Sequence, residues 1–203
     1  MKHVYRSRFA FVLGWVWVAF VAINTVDLIY RYTGKPSMVA LAVLGVLTTI
    51  VYTTALRPAT VLAEDELVVR NPLRTTYAPW AAVTEATVSH SINVHLGDDR
   101  ILRLWTPTSS ARERAKARRR VGARPQRGRF PTEPTLSKGE QAAAEAFAGK
   151  THADWLGEQI TERAEAVGRR GEQAAPVRQS WAIDSFAVLA VALALVIAAL
   201  VVP

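Results

Sequence analysis

Three apolar runs constrain this chain more than any other feature. They span about Phe9–Ile29, Met38–Leu56 and Ala182–Val202. Crossing ~30 Å of hydrocarbon as an α-helix takes roughly 20 predominantly apolar residues, and each run meets that requirement. Lys2, Arg6 and Arg8 precede the first run, as in a secretory signal peptide. A signal peptide has a shorter apolar core and a small-residue cleavage site. The run here is long and carries Trp15, Trp17 and Phe20, so it reads as an uncleaved membrane helix. Asn24 and Asp27 fall near its far end, where head groups and water solvate them. Gly34 and Pro36 mark a turn, Tyr30 and Tyr32 suit an interfacial aromatic belt, and the first two runs form a helical hairpin. Gly45 has no second glycine four residues away, so it reads as a packing position. Arg57-Pro58 ends the second helix, because proline cannot continue the hydrogen-bond ladder. Arg57 is expected to reach back to the head groups, and Asp184, near the polar end of the third run, to snorkel into them.

Between Arg57 and Trp181 lie roughly 120 residues, enough for one small domain. Its first part reads as β. Thr60–Ala63 and Leu67–Arg70 flank the acidic turn Glu64-Asp65-Glu66, and Asn71-Pro72 stops the second strand. Thr75–Ala78 and Val83–Ser89 are further extended runs. Ile92, Val94 and Leu96 alternate with Asn93 and His95 as a half-buried strand. Gly97-Asp98-Asp99 makes a turn, and Ile101–Thr106 returns with Leu102 and Leu104 on one face. Short strands joined by tight turns predict a small antiparallel sheet or partial barrel. The fold class is therefore α+β with three transmembrane helices. Trp80 and Trp105 read as core or rim residues of the sheet.

The run Arg57-Pro58, Leu67-Val68-Val69-Arg70-Asn71-Pro72-Leu73-Arg74 and Pro79-Trp80, followed by Gly97-Asp98-Asp99-Arg100 and Leu102-Arg103-Leu104-Trp105, resembles the bacterial pleckstrin-homology-like (PH-like) domains of actinobacterial membrane proteins, including the mycobacterial low-molecular-weight antigen type. The resemblance covers Arg57 to Pro107. Asn71-Pro72-Leu73-Arg74 and Pro79-Trp80 carry it most specifically. It implies a bent antiparallel sheet, a capping C-terminal helix and two membrane helices just before the domain. It implies no settled activity. This chain departs from the pattern in a long basic insertion after Trp105.

That insertion, residues 108–136, holds Arg112, Arg114, Lys116, Arg118, Arg119, Arg120, Arg124, Arg127 and Arg129 against one acid, Glu113. With so little to bury it is expected to be disordered. Helical sequence follows over 137–170. Ser137 and Glu140 fit a capping box. Thr151 and Asp154 restart a second helix whose face of Trp155, Leu156, Ile160, Ala164 and Val167 is expected to pack on the sheet as the capping helix. The organisation is thus a hairpin over 1–56, a PH-like module over 57–107, the insertion, the helices, a linker over 171–181 and a terminal membrane helix over 182–203.

The formal net charge is +8, which favours an anionic neighbour. Lys2, Arg6, Arg8, Arg57, Arg70, Arg74 and the insertion belong to one side of the membrane, with Arg31 and Lys35 opposite. The positive-inside rule puts the N-terminus and module in the cytoplasm and the C-terminus outside. No cysteine is present, so disulfides and thiolate chemistry are excluded. His3, His90, His95 and His152 lack metal-ligand spacing, and no nucleophile-elbow or phosphate-loop motif occurs. The sequence thus predicts no enzyme, cofactor or metal. It predicts a membrane-anchored module that binds anionic lipid or a protein partner. The anion contacts would be the insertion's basic residues together with Arg70 and Arg74, which are spaced to face one anion. Nucleic-acid binding, or an accessory role in a membrane complex, through the same basic run is the alternative. That run lacks the interleaved aromatics of a stacking platform.

Overall fold

The computed structural model describes residues 3–108, 151–171 and 175–202. The chain opens with a short strand, β1 (His3–Tyr5), and then helix α1 (Arg8–Tyr30). Helix α2 (Lys35–Val51) continues through one wide π-helical turn, Tyr52–Leu56. Strands β2 (Ala59–Leu62), β3 (Glu66–Arg70) and β4 (Arg74–Pro79) follow, then a 3-10 turn over Trp80–Ala82. Next come β5 (Val83–Val88), β6 (Ser91–Leu96) and β7 (Ile101–Thr108). Helix α3 (His152–Gly168), strand β8 (Arg178–Trp181) and helix α4 (Ile183–Val201) complete the described chain. The architecture is mixed helix and antiparallel sheet. Three helices, Arg8–Tyr30, Lys35–Leu56 and Ile183–Val201, are long and apolar enough to cross a membrane.

The strands form two sheets, one of five strands in the order β1-β2-β3-β4-β8 and one of three, β5-β6-β7. The six central strands fall close to where alternation and turn residues predict them. Two outer strands do not. β1 lies in the basic segment before the first span and pairs His3 with Leu62. β8 lies in the expected linker and pairs Arg74 with Trp181. Both are corrections to the sequence reading. A strand of three or four residues carries too little periodicity to be seen alone, and it exists because a neighbouring edge pairs with it.

The core lies between the two sheets and α3. Leu62, Leu67, Val69 and Ala78 come from the first sheet. Ile92, Val94, Leu102 and Leu104 come from the second, and Leu156, Ile160 and Ala164 from α3. Trp80 is buried at the centre and donates its indole N–H to Ala63 O at 3.2 Å. The predicted cap forms: the Thr151 hydroxyl accepts from the Asp154 amide, and the Asp154 carboxylate accepts from the Thr151 amide at 2.7 Å. Gly157 lets α3 approach β5, since a Cβ there would sit 2.6 Å from Val88 Cγ2. The Ser137–Glu140 cap and the helix expected after it fall outside the described residues.

The apolar helices pack antiparallel, α1 on α2 and α2 on α4. Trp17 donates to Thr48 Oγ1 at 3.2 Å, and Gly14 admits Leu56. Gly45 is a packing position as expected: a Cβ would meet Leu195 Cδ1 at 2.9 Å. Asp27 pairs with Arg31 at 3.0 Å, one helical turn away.

Because Leu156 is fully buried at the centre of the α3 face, Leu156→Ala should cost about 2–5 kcal/mol. Denaturant unfolding of the full-length protein in detergent, followed by tryptophan fluorescence, reads this. The half-exposed Leu73 serves as control, with Leu73→Ala expected within roughly 0.5 kcal/mol. Equal losses at the two positions would refute the core assignment.

Candidate functional site: the junction of sheet and apolar helices

All three apolar helices join the five-stranded sheet at one place. β1 runs into α1, α2 runs into β2, and β8 runs into α4. At the centre of this junction is Arg57. Its side chain is 6% exposed and pairs with Asp184 at 2.9 Å. Its Nε donates to both carboxylate oxygens, Nη1 donates to Asn71 O, and Nη2 donates to Thr75 Oγ1 at 3.0 Å. Tyr52 donates its hydroxyl to Asp184 Oδ2 at 2.9 Å. A buried guanidinium persists only when paired and hydrogen-bonded, and these partners supply that. Arg57 and Asp184 therefore do not act as separate head-group anchors. The expectation fails because the two side chains lie within reach of one another, a proximity that a sequence separation of 127 conceals.

The π-helical turn places these groups. Arg57 N donates to Tyr52 O, five residues back, at 2.9 Å. The widened turn puts Tyr52 and Arg57 together against Asp184 in the first turn of α4. Such single π turns recur at functional positions.

The Asn71-Pro72-Leu73-Arg74 run holds a different neighbour with each residue. Asn71 donates to Arg103 O at 3.0 Å and accepts from the Trp105 amide at 3.1 Å, joining the two sheets. Pro72 O accepts from Ser185 Oγ at 2.7 Å, and Leu73 O accepts from the Ala182 amide at 3.0 Å. The Arg74 guanidinium lies 4.3 Å from the centroid of the Trp181 ring. Trp105 is a rim residue, 47% exposed, whose indole donates to Thr54 O at 3.3 Å, so it too touches the end of α2.

Arg70 and Arg74 do not share an anion. Arg70 is opposite Thr75 in the β3–β4 register, while Arg74 is the next residue along β4. Successive strand residues point to opposite faces, so the two side chains lie on opposite sides of the sheet. Arg74 stacks on Trp181. Arg70 is exposed on the face that meets the apolar helices. The remaining predicted contacts, Arg112, Arg114, Lys116, Arg118, Arg119, Arg120, Arg124, Arg127 and Arg129, fall outside the described residues.

Beside Arg57, between the sheet and the start of α1, lies a cavity of about 710 Å³. Arg6, Arg57 and Arg70 line it, with Asp184 as the one carboxylate, and Phe11, Trp15 and Val18 form its apolar wall. Asp184 is taken by Arg57. Among the described residues no carboxylate pairs with Arg6 or Arg70. Arg6 Nε is buried and has no hydrogen-bond partner, while its guanidinium lies 5.4 Å from the Phe11 ring centroid. The sequence reading used Arg6 only as a topological charge. Position alone marks nothing more, because the cavity exists only once β1 has paired with β2.

No group of three His, Cys, Asp or Glu side chains forms a metal site among the described residues. The chain matches no family model, no curated protein and no solved structure.

The lock predicts a measurable coupling. Arg57→Met and Asp184→Asn, separately and together, should give an interaction energy of about 1 kcal/mol or more in thermal unfolding of the full-length protein. Arg57→Met should be the more damaging single change, because it strips partners from Asn71, Thr75 and Asp184 at once. Additive effects would show that the pair does not bind the helices to the sheet.

Proposed function

We propose that this protein is a non-enzymatic, membrane-anchored PH-like module that binds anionic lipid at the cytoplasmic face of its own membrane. The observation that carries this reading is the junction. Three apolar helices meet one sheet, and the cationic side chains at that meeting point, Arg6 and Arg70, have no carboxylate partner among the described residues. Basic groups held against an anionic leaflet contribute roughly 1 kcal/mol each at best, and the effect decays within a Debye length. The nine basic residues between Arg112 and Arg129 would add to the same attraction.

The pairing of β1 with β2 and of β4 with β8 keeps the segments before α1 and α4 on the module's side. Basic residues crowd that side, which favours the cytoplasm. A cytoplasm-active reporter inserted at Gly171 and a periplasm-active one fused after Pro203 should both be active. The reverse pattern would invert the topology.

The lipid reading is tested on the full-length protein in nanodiscs. Amide exchange over residues 112–129 should slow when anionic lipid replaces zwitterionic lipid and recover at high salt. Neutralising Arg118, Arg119 and Arg120 to Gln should remove most of the slowing. Exchange indifferent to lipid charge would count against this function, and slowing by added nucleic acid instead would favour the alternative partner.

A further inference from the structure

The junction cavity has a polarity gradient that a general attraction to charged surfaces does not require. Its sheet side carries Arg6 and Arg70, two cations without carboxylate partners among the described residues. Its helix side carries Phe11, Trp15 and Val18. These three are spaced four and three residues apart on α1, so they form one stripe along the helix. That stripe leads from the charged end into the length of α1 that can cross the bilayer. The cavity thus has a cationic end beside the start of α1 and an apolar wall that runs onto the apolar length of that helix.

We infer that this cavity is a discrete binding site for one anionic phospholipid, with the phosphodiester between Arg6 and Arg70 and an acyl chain along Phe11, Trp15 and Val18. The inference deepens the lipid reading proposed above and rests on it, but it locates the ligand in a built site instead of a diffuse layer. Three points favour a lipid over other anions. Arg6 lines the cavity with no carboxylate partner among the described residues, and a guanidinium suits the oxygens of a phosphate through paired N–H bonds. A cavity of about 710 Å³ exceeds what a bare phosphate needs and falls within the usual range for ligand sites, about 300–1,000 Å³. The apolar stripe also gives a soluble anion nothing to bind, whereas an acyl chain would cover it. Basic pockets beside membrane helices are a known form of head-group site. Arg57 lines the same space, but its charge is already met by Asp184, so it shapes the wall and leaves the phosphate to Arg6 and Arg70.

The test uses the full-length protein in a zwitterionic detergent, with bound lipid counted by native mass spectrometry. Wild-type protein should retain one phosphatidylglycerol in preference to phosphatidylcholine. The double variant Arg6→Gln, Arg70→Gln should retain it roughly tenfold less, the change expected from losing a charge-assisted hydrogen bond. Val18→Trp, which fills the apolar end and leaves both cations in place, should also reduce retention. Arg118→Gln, Arg119→Gln, Arg120→Gln should leave the adduct unchanged, which separates this site from attraction through the basic run. Equal retention of phosphatidylcholine, or unchanged phosphatidylglycerol in the double variant, would overturn the site. Displacement of the lipid by glycerol phosphate alone would overturn the lipid assignment in favour of a soluble phosphate.

Discussion

The Arg57–Asp184 pair is the constraint on which the rest of the molecule depends. A guanidinium buried beneath a sheet is costly unless it is paired with a carboxylate and hydrogen-bonded. Here the acceptors come from α4, β4 and the turn between β3 and β4. Meeting the needs of one side chain therefore fixes three elements relative to the end of α2. The position of the sheet over the helices follows from that, and so does the cavity beside it. Tyr52 completes the arrangement by tying the last turns of α2 to the same carboxylate.

A second layer of contacts makes this position rigid. The turn after β3 holds β7 through Asn71 and the start of α4 through Pro72 and Leu73. The two sheets also meet directly, where Thr60 donates to Thr106 O at 2.5 Å. The module is thus joined to the apolar helices by backbone and side-chain hydrogen bonds as well as by covalent linkers. Motion of the sheet relative to the apolar helices would have to break several of these bonds together.

Much of this was legible in the sequence and some could not be. Apolar length revealed the three long apolar helices, alternation revealed β6, and the Thr151–Asp154 spacing revealed the start of α3. Those signals are local. The outer strands β1 and β8 were hidden because their existence depends on partners far along the chain, His3 on Leu62 and Trp181 on Arg74. The Arg57–Asp184 pair was hidden for the same reason. Each residue has a sufficient local explanation as a charge near a membrane end, and only tertiary proximity replaces it. Arg70 and Arg74 failed differently. Both sit near the end of an expected strand, which suggests a common direction, but the turn between two strands places them on opposite faces.

The two outer strands have a consequence for how the protein is made. β1 emerges before the first hairpin, and its partner β2 emerges only after it. The edge of β2 can be covered only if both ends of the hairpin return to one side of the membrane. Were only one of the two helices to cross a bilayer, β1 and β2 would lie on opposite sides and the β2 edge would stay open. An open edge is a template for aggregation and a mark that quality-control proteases can recognise. The five-stranded sheet therefore closes only when the two ends of the helical hairpin lie on the same side.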